Sequence, residues 1–308
     1  MQIDPSKIRI GCLFGCVYWI LLLVSYPQMA KAQSTVTQEL VRPSQANPAV
    51  SQFDEENVVL TATDVRNDAP LAIFLPGTHG KPMNSLHLMN VVASQGYRVI
   101  GLSYNDVPAA VQTCPNNPNP ECYARFRDMR TFGRGPAPVS NSYDETIEAR
   151  LVALLRYLDQ EHPRDGWSQY LTTSGQLQWS RILVSGLSQG AGMAAYIAKL
   201  HRVYRVVLFS SPWDNIGRDH RPAPWLYRPS ATPPDLWWAE RHARENTTEL
   251  IANAYRVLQI PSDHIMIFNQ GLVKSPGPEE KNPFHPSTIQ NPAYEAQWRV
   301  LYGMVGTP

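Results

Sequence analysis

Charge is scarce in this 308-residue chain: Asp, Glu, Lys and Arg make up 17%, and 27 basic residues face 26 acidic ones. With no basic excess there is nothing to hold a phosphate backbone, which argues against nucleic acid as a main partner. Cysteine is scarce too, at four residues, too few for a disulfide scaffold. The apolar run Ile10 to Val24 is only 15 residues long, short for a bilayer core of about 30 Å. No internal repeat is visible. What the chain does have is 43% hydrophobic and 10% aromatic residues. That excludes wholesale disorder and supplies the core of one globular domain.

The N-terminus reads as a segment apart. Lys7 and Arg9 precede the apolar run, Ser25-Tyr26-Pro27 breaks it, and Ala30-Lys31-Ala32 offers small residues at both contact positions of a signal-peptidase site. Residues 1–32 are therefore expected to be a secretory signal cleaved after Ala32, leaving a secreted or periplasmic chain without a stable membrane anchor. Cleavage removes Lys7, Arg9, Lys31 and Asp4, so 24 basic residues face 25 acidic ones, a net of −1. Cys12 and Cys16 leave with the signal. The remaining pair, Cys114 and Cys122, lies in a Pro/Asn-rich loop and is expected to close it as a disulfide in an oxidising compartment. No His flanks the pair at ligand spacing, so no metal is expected there.

Residues 33–56 are polar without apolar period and read as a flexible linker; residues 57–308 form the domain. Short apolar runs at 58–60, 71–75, 97–102, 182–184, 206–209, 236–242 and 264–268 suit buried strands. Helices are expected over 84–94, from Ser142 with a Ser142/Glu145 capping box, over 189–200, and from Asn246 and Glu249 as caps. A further helix opens at Pro292. Asn246-Thr247-Thr248 also fits a glycosylation sequon, and the cap is the preferred reading. Strands alternating with helices over 250 residues make the class α/β: a mostly parallel sheet with helices on both faces, in one domain.

The decisive stretch is Ile182-Leu183-Val184-Ser185-Gly186-Leu187-Ser188-Gln189-Gly190. A bare G-x-S-x-G arises by chance in about one chain in ten of this length. Here it sits between an apolar strand and a helix of small residues, which is the context that nucleophilic chemistry requires. A serine on a tight strand-to-helix turn stands clear of the sheet edge, flanking glycines let backbone pack against the turn, and the helix amides face developing negative charge.

This motif resembles the nucleophile elbow of the α/β-hydrolase superfamily, and the order of elements over about 57–305 is similar to that fold. Phe74-Leu75-Pro76-Gly77-Thr78-His79-Gly80 resembles the loop after its third strand, with Pro76-Gly77 where many members have His-Gly. The resemblance implies Ser188 as nucleophile and the backbone amides of Thr78 and Gln189 as oxyanion hole. The superfamily's chain order of Ser, acid, His points to His285 as base, since it alone among eight His follows the last expected strand. Pro286 stands where many relatives have a small residue. Family topology puts the acid after the seventh strand, which favours Glu245; Asp214 is the alternative acid, and Asp263 and Glu240 follow.

The implied chemistry is acyl transfer: His285 takes the Ser188 proton, the serine attacks an ester carbonyl, and water releases the acyl group. No metal or organic cofactor is called for. His242-x-x-Glu245 lacks the second His of a zinc motif. The insertion at 211–235 carries Trp213, Trp225 and six prolines, suited to an apolar substrate wall. A small-molecule or lipid-like carboxylic ester is the expected substrate. Peptidase, polyester depolymerase and acyltransferase chemistry on the same scaffold are alternatives, as is a catalytically silent binding module.

Overall fold

The computed structural model describes residues 35–275, 277 and 281–305; the expected signal segment lies outside them. Among the described residues ten strands are found: β1 (Val36–Val41), β2 (Asn57–Ala62), β3 (Leu71–Leu75), β4 (Arg98–Gly101), β5 (Ile182–Leu187), β6 (Arg205–Phe209), β7 (Asn215–Ile216), β8 (Arg221–Pro222), β9 (Trp237–His242) and β10 (Ile265–Phe268). Eight of them form one sheet in the order β1-β2-β4-β3-β5-β6-β9-β10, and β7 and β8 pair as a small separate ribbon. β4, β3, β5, β6, β9 and β10 run parallel; β2 is antiparallel to β4, and β1 to β2. The helices are α1 (Pro43–Ala46), α2 (Leu86–Ala93), α3 (Ala110–Thr113), α4 (Cys122–Phe132), α5 (Ile147–Glu161), α6 (Gln189–Leu200), α7 (Thr248–Val257), α8 (Phe284–Gln290) and α9 (Glu295–Tyr302).

The sheet divides its side chains by the two-residue period of a strand. Ile73, Leu75, Ile182, Val184, Val206 and Leu208 pack with α4, α5 and α6 on one face. Their neighbours Ala72, Phe74, Leu183, Val207 and Phe209 pack with α2, α8 and α9 on the other. Strands covered on both faces have no polar side to show, which is why they read as continuous apolar runs. This is the mostly parallel sheet with helices on both faces that the order of elements implied.

Several local expectations are corrected. Residues 36–41 are not linker but the edge strand β1, paired from Val36 opposite Ala62 to Val41 opposite Asn57. Most of its side chains remain partly or fully exposed, so it buries too little to leave an apolar period; its hydrogen bonds to β2 hold it instead. The linker's other end is tied down as well, with the Asp54 carboxylate accepting from Ser44 N at 2.8 Å and Ser44 Oγ at 2.7 Å. The helix expected from Ser142 begins at Ile147, capped by Thr146 Oγ1 accepting from Ala149 N. Glu145 instead accepts from the Ser51 and Gln52 amides and pairs with Arg150. Asn246 does not cap α7, whose N-cap is Thr247; its side chain donates to Lys281 O. The Pro/Asn-rich loop runs into α4, opened by Cys122, and Cys114 and Cys122 are bonded as expected, with Cα atoms 5.5 Å apart.

Candidate active site

Parallel pairing sets the carboxyl ends of β3, β5, β6 and β9 in one row. Leu75 lies opposite Gly186, Leu187 opposite Phe209, and Phe209 opposite Glu240. The residues just beyond those ends, Pro76, Ser188, Ser210 and the turn carrying Glu245, therefore share one edge, where open α/β sheets bind ligands.

Ser188 makes the turn from β5 into α6 with φ 55° and ψ −118°, a conformation costing an L-residue roughly 1–3 kcal/mol. It is half-exposed rather than packed into the interior. Its amide donates to Phe209 O at 3.0 Å, and Gly192 N donates back to Ser188 O at 3.0 Å. Glycine is required on both sides. A Cβ at Gly190 would lie 2.0 Å from Leu75 O, one at Gly186 2.5 Å from the same oxygen, and one at Gly77 3.1 Å from the Ser188 Cβ. The turn is thus clamped against β3 and its loop.

His285 lies in the first turn of α8, not in an open loop, and its ring is largely buried. Its Nδ1 is 2.8 Å from Glu245 Oε2. The Glu245 side chain is fully buried, and its Oε1 accepts from His242 N at 2.9 Å and Ser210 Oγ at 3.0 Å. Two donors on Oε1 hold the carboxylate in place, and an ionised Oε2 at 2.8 Å accepts from His285 Nδ1–H, the tautomer that leaves the lone pair on Nε2. Trp213 stands edge-on to the imidazole at 5.3 Å between ring centres. Ser188 and His285 line the same cleft of ≈ 280 Å³, together with Gly77, Thr78, Leu187 and Ile289.

The loop after β3 is held from below. Gly80 N donates to Gly77 O at 2.8 Å and to Asp106 Oδ2 at 3.1 Å, and Tyr104 Oη donates to Pro76 O at 3.0 Å. Thr78 lines the cleft, and Gln189 follows Ser188 as the first residue of α6, where backbone amides lack intrahelical acceptors. Burial drives the Asp106 carboxyl up to about 6, opposed by the Gly80 N–H and by His79.

The other candidates fall elsewhere. Asp214, the alternative acid, is turned away from His285 into a buried fork, accepting from Arg127 Nε at 2.8 Å and Nη2 at 2.6 Å. Trp225 is not a substrate wall but a core residue, its Nε1 donating to the same Asp214 at 2.9 Å. Asp263 is exposed ahead of β10, at the opposite edge of the sheet. His264 stacks on Trp238 at 3.9 Å, and His87 pairs with Glu295 at 2.8 Å. Sequence reasoning missed Tyr104, Asp106 and Ser210. Tyr104 and Asp106 carried one signal, their place directly after a buried strand's end.

No protein-family model matches the chain, and no curated protein matches it. Among solved structures it is similar to a bacterial heroin esterase, at 13% identity and a TM-score of 0.45 over 87% of this chain and 83% of that one. It is also similar to esterase B from Lactobacillus rhamnosis, at 14% identity and a TM-score of 0.44 over 87% and 86%. Similarity to Thermogutta terrifontis esterase 2 stands at 12% identity and 0.43 over 88% and 97%.

Proposed function

We propose that this chain is a secreted serine hydrolase that cleaves carboxylic esters through an acyl-enzyme, with Ser188 as nucleophile, His285 as general base and Glu245 as acid. The observation that carries this reading is the 2.8 Å contact of His285 Nδ1 with the buried Glu245 carboxylate, in a cleft shared with a serine held at positive φ. Glu245 accepting at Nδ1 leaves Nε2 to take the Ser188 proton as Oγ attacks the ester carbonyl. The carboxylate then stabilises the imidazolium, which returns its proton to the departing alcohol. The amides of Thr78 and Gln189 receive the oxyanion, and water repeats the sequence on the acyl-enzyme. The cleft's small volume of ≈ 280 Å³, with Pro76, Leu187, Pro286 and Ile289 in its lining, favours a short acyl group over a long chain.

A fluorophosphonate probe tests the proposal directly. The wild-type protein should be labelled and should turn over acetyl and butyryl esters faster than palmitoyl ones. Ser188→Ala should abolish labelling and lower kcat by at least about 10³-fold. Labelling that survives in Ser188→Ala, or hydrolysis of amide substrates in place of esters, overturns the reading.

A further inference from the structure

Beside Glu245 lies a second carboxyl that the proposed chemistry does not use. Glu240, in β9, is fully buried. Its Oε1 is 3.3 Å from Ser210 Oγ, and Ser210 Oγ is also 3.0 Å from Glu245 Oε1. Two carboxyls thus meet on one hydroxyl. That hydroxyl has a single proton, so it donates to one of them and presents lone pairs to the other. An ionised carboxylate facing those lone pairs in a dry site is repelled, whereas a protonated one donates to them.

The surroundings decide which carboxyl keeps its proton. Glu245 has three donors: the Ser210 hydroxyl, the His242 amide and His285 Nδ1–H. Glu240 is less well supplied. Among the described residues its buried Oε2 meets no geometrically good donor, and the Thr288 hydroxyl beside it, which favours its charged form, is also placed to donate to His285 O at 3.0 Å. The Tyr255 hydroxyl from α7 donates to the Glu240 backbone carbonyl at 2.7 Å, not to its side chain. The titratable groups that act on Glu240 are Glu245, Tyr255 and Tyr294; among the described residues no Lys or Arg hydrogen-bonds to it. Burial above all, and then the Glu245 charge, push the Glu240 carboxyl well above the usual carboxylate range, against the weaker opposing pull of hydrogen bonds from Thr288 and Ser210.

We infer that Glu240 is a positioning residue of this site, a neutral carboxyl that donates to Ser210 Oγ so that Ser210 donates to Glu245 and fixes it as acceptor for His285. The inference rests on the roles proposed for Ser188, His285 and Glu245. It adds a chain of donors running Glu240 to Ser210 to Glu245, closed by His285 from the other side. Hydrogen bonds that polarise one another in low dielectric hold the acceptor more rigidly than separate contacts.

The experiment compares Glu240→Gln with Glu240→Leu. Gln keeps a neutral donor of the same shape, so it should retain a third or more of the wild-type kcat, with the acid limb of the kcat/KM profile unmoved. Leu fills the space without donating, so kcat should fall tenfold or more while KM stays within threefold. Wild-type kcat in Glu240→Leu would reduce Glu240 to a space-filler and overturn the inference. An acid limb shifted downward by half a unit or more in Glu240→Gln would show that an anion had been removed, and would overturn it too. Should Glu240→Leu not fold, the Gln profile alone carries the test. Infrared spectra at pH 7 add a readout independent of turnover. The wild-type protein should show a protonated-carboxyl C=O band, shifted by deuteration and missing in Glu240→Gln. Its absence from the wild type overturns the inference even if ester turnover is normal, and its presence supports a neutral Glu240 even if turnover fails.

Discussion

Asp106 shows how one side chain's burial is felt beyond its own contacts. Its carboxyl, raised from 3.8 to about 6 chiefly by burial, keeps its proton longer folded than unfolded. The folded state therefore binds the extra proton between about pH 4 and 6, and stability falls as pH rises through that window. About two pK units correspond to at most on the order of 1–3 kcal/mol. In Asp106→Asn this slope should vanish. The difference in urea midpoint between wild type and variant should change steadily from pH 4 to 6 and then level. A difference that stays constant across the window would mean that Asp106 ionises as freely folded as unfolded. Its ionised form also accepts more strongly from Gly80 N, so the loop bearing Thr78 is best held above pH 6. At this scale the sequence was informative where chain order matters. It pointed to Ser188, His285 and Glu245 and kept Asp214 as the alternative acid, because only packing shows that Asp214 is committed to Arg127.

The strand–turn–helix made by β5, Ser188 and α6 is a unit whose glycines are set by backbone approach. Gly190→Ala would drive a Cβ to 2.0 Å from Leu75 O, and relief requires parting α6 from β3. The expected cost exceeds about 2 kcal/mol, together with loss of probe labelling as Ser188 shifts. Gly135→Ala is the control: its φ is +65° but nothing lies within 4 Å of the added carbon, so the cost is about 1 kcal/mol and labelling persists. Equal effects in thermal denaturation and labelling would refute the clamp. Elements with apolar period or capping glycine were legible at this scale. β1 was not, because an edge strand takes its stability from hydrogen bonds to β2 rather than from its own burial. α8 was not, because its seven residues have no periodic face to read.

Across the whole molecule, two cores sandwich the sheet, and the Arg127–Asp214 pair seals the one under α4 and α6. Both side chains are 1% exposed, and Gly192 exists to admit the guanidinium, since a Cβ there would lie 2.3 Å from Arg127 Nη2. Arg127→Met strands a buried carboxylate and should cost about 3–5 kcal/mol, read as a large drop in Tm. Arg127→Met with Asp214→Asn removes the stranded charge and should recover most of the loss. A double variant no more stable than the single one would contradict this account. By itself the sequence determined the layered class, the strand–turn–helix at Ser188 and the chain order of the candidate residues, because those follow from local period, local sterics and chain direction. Tertiary structure alone decided which carboxylate meets His285, that Trp225 belongs to the core, and that Glu240 and Ser210 stand behind Glu245. Each of these depends on residues 10 or more positions apart in the chain converging, and no local pattern encodes the distance between them.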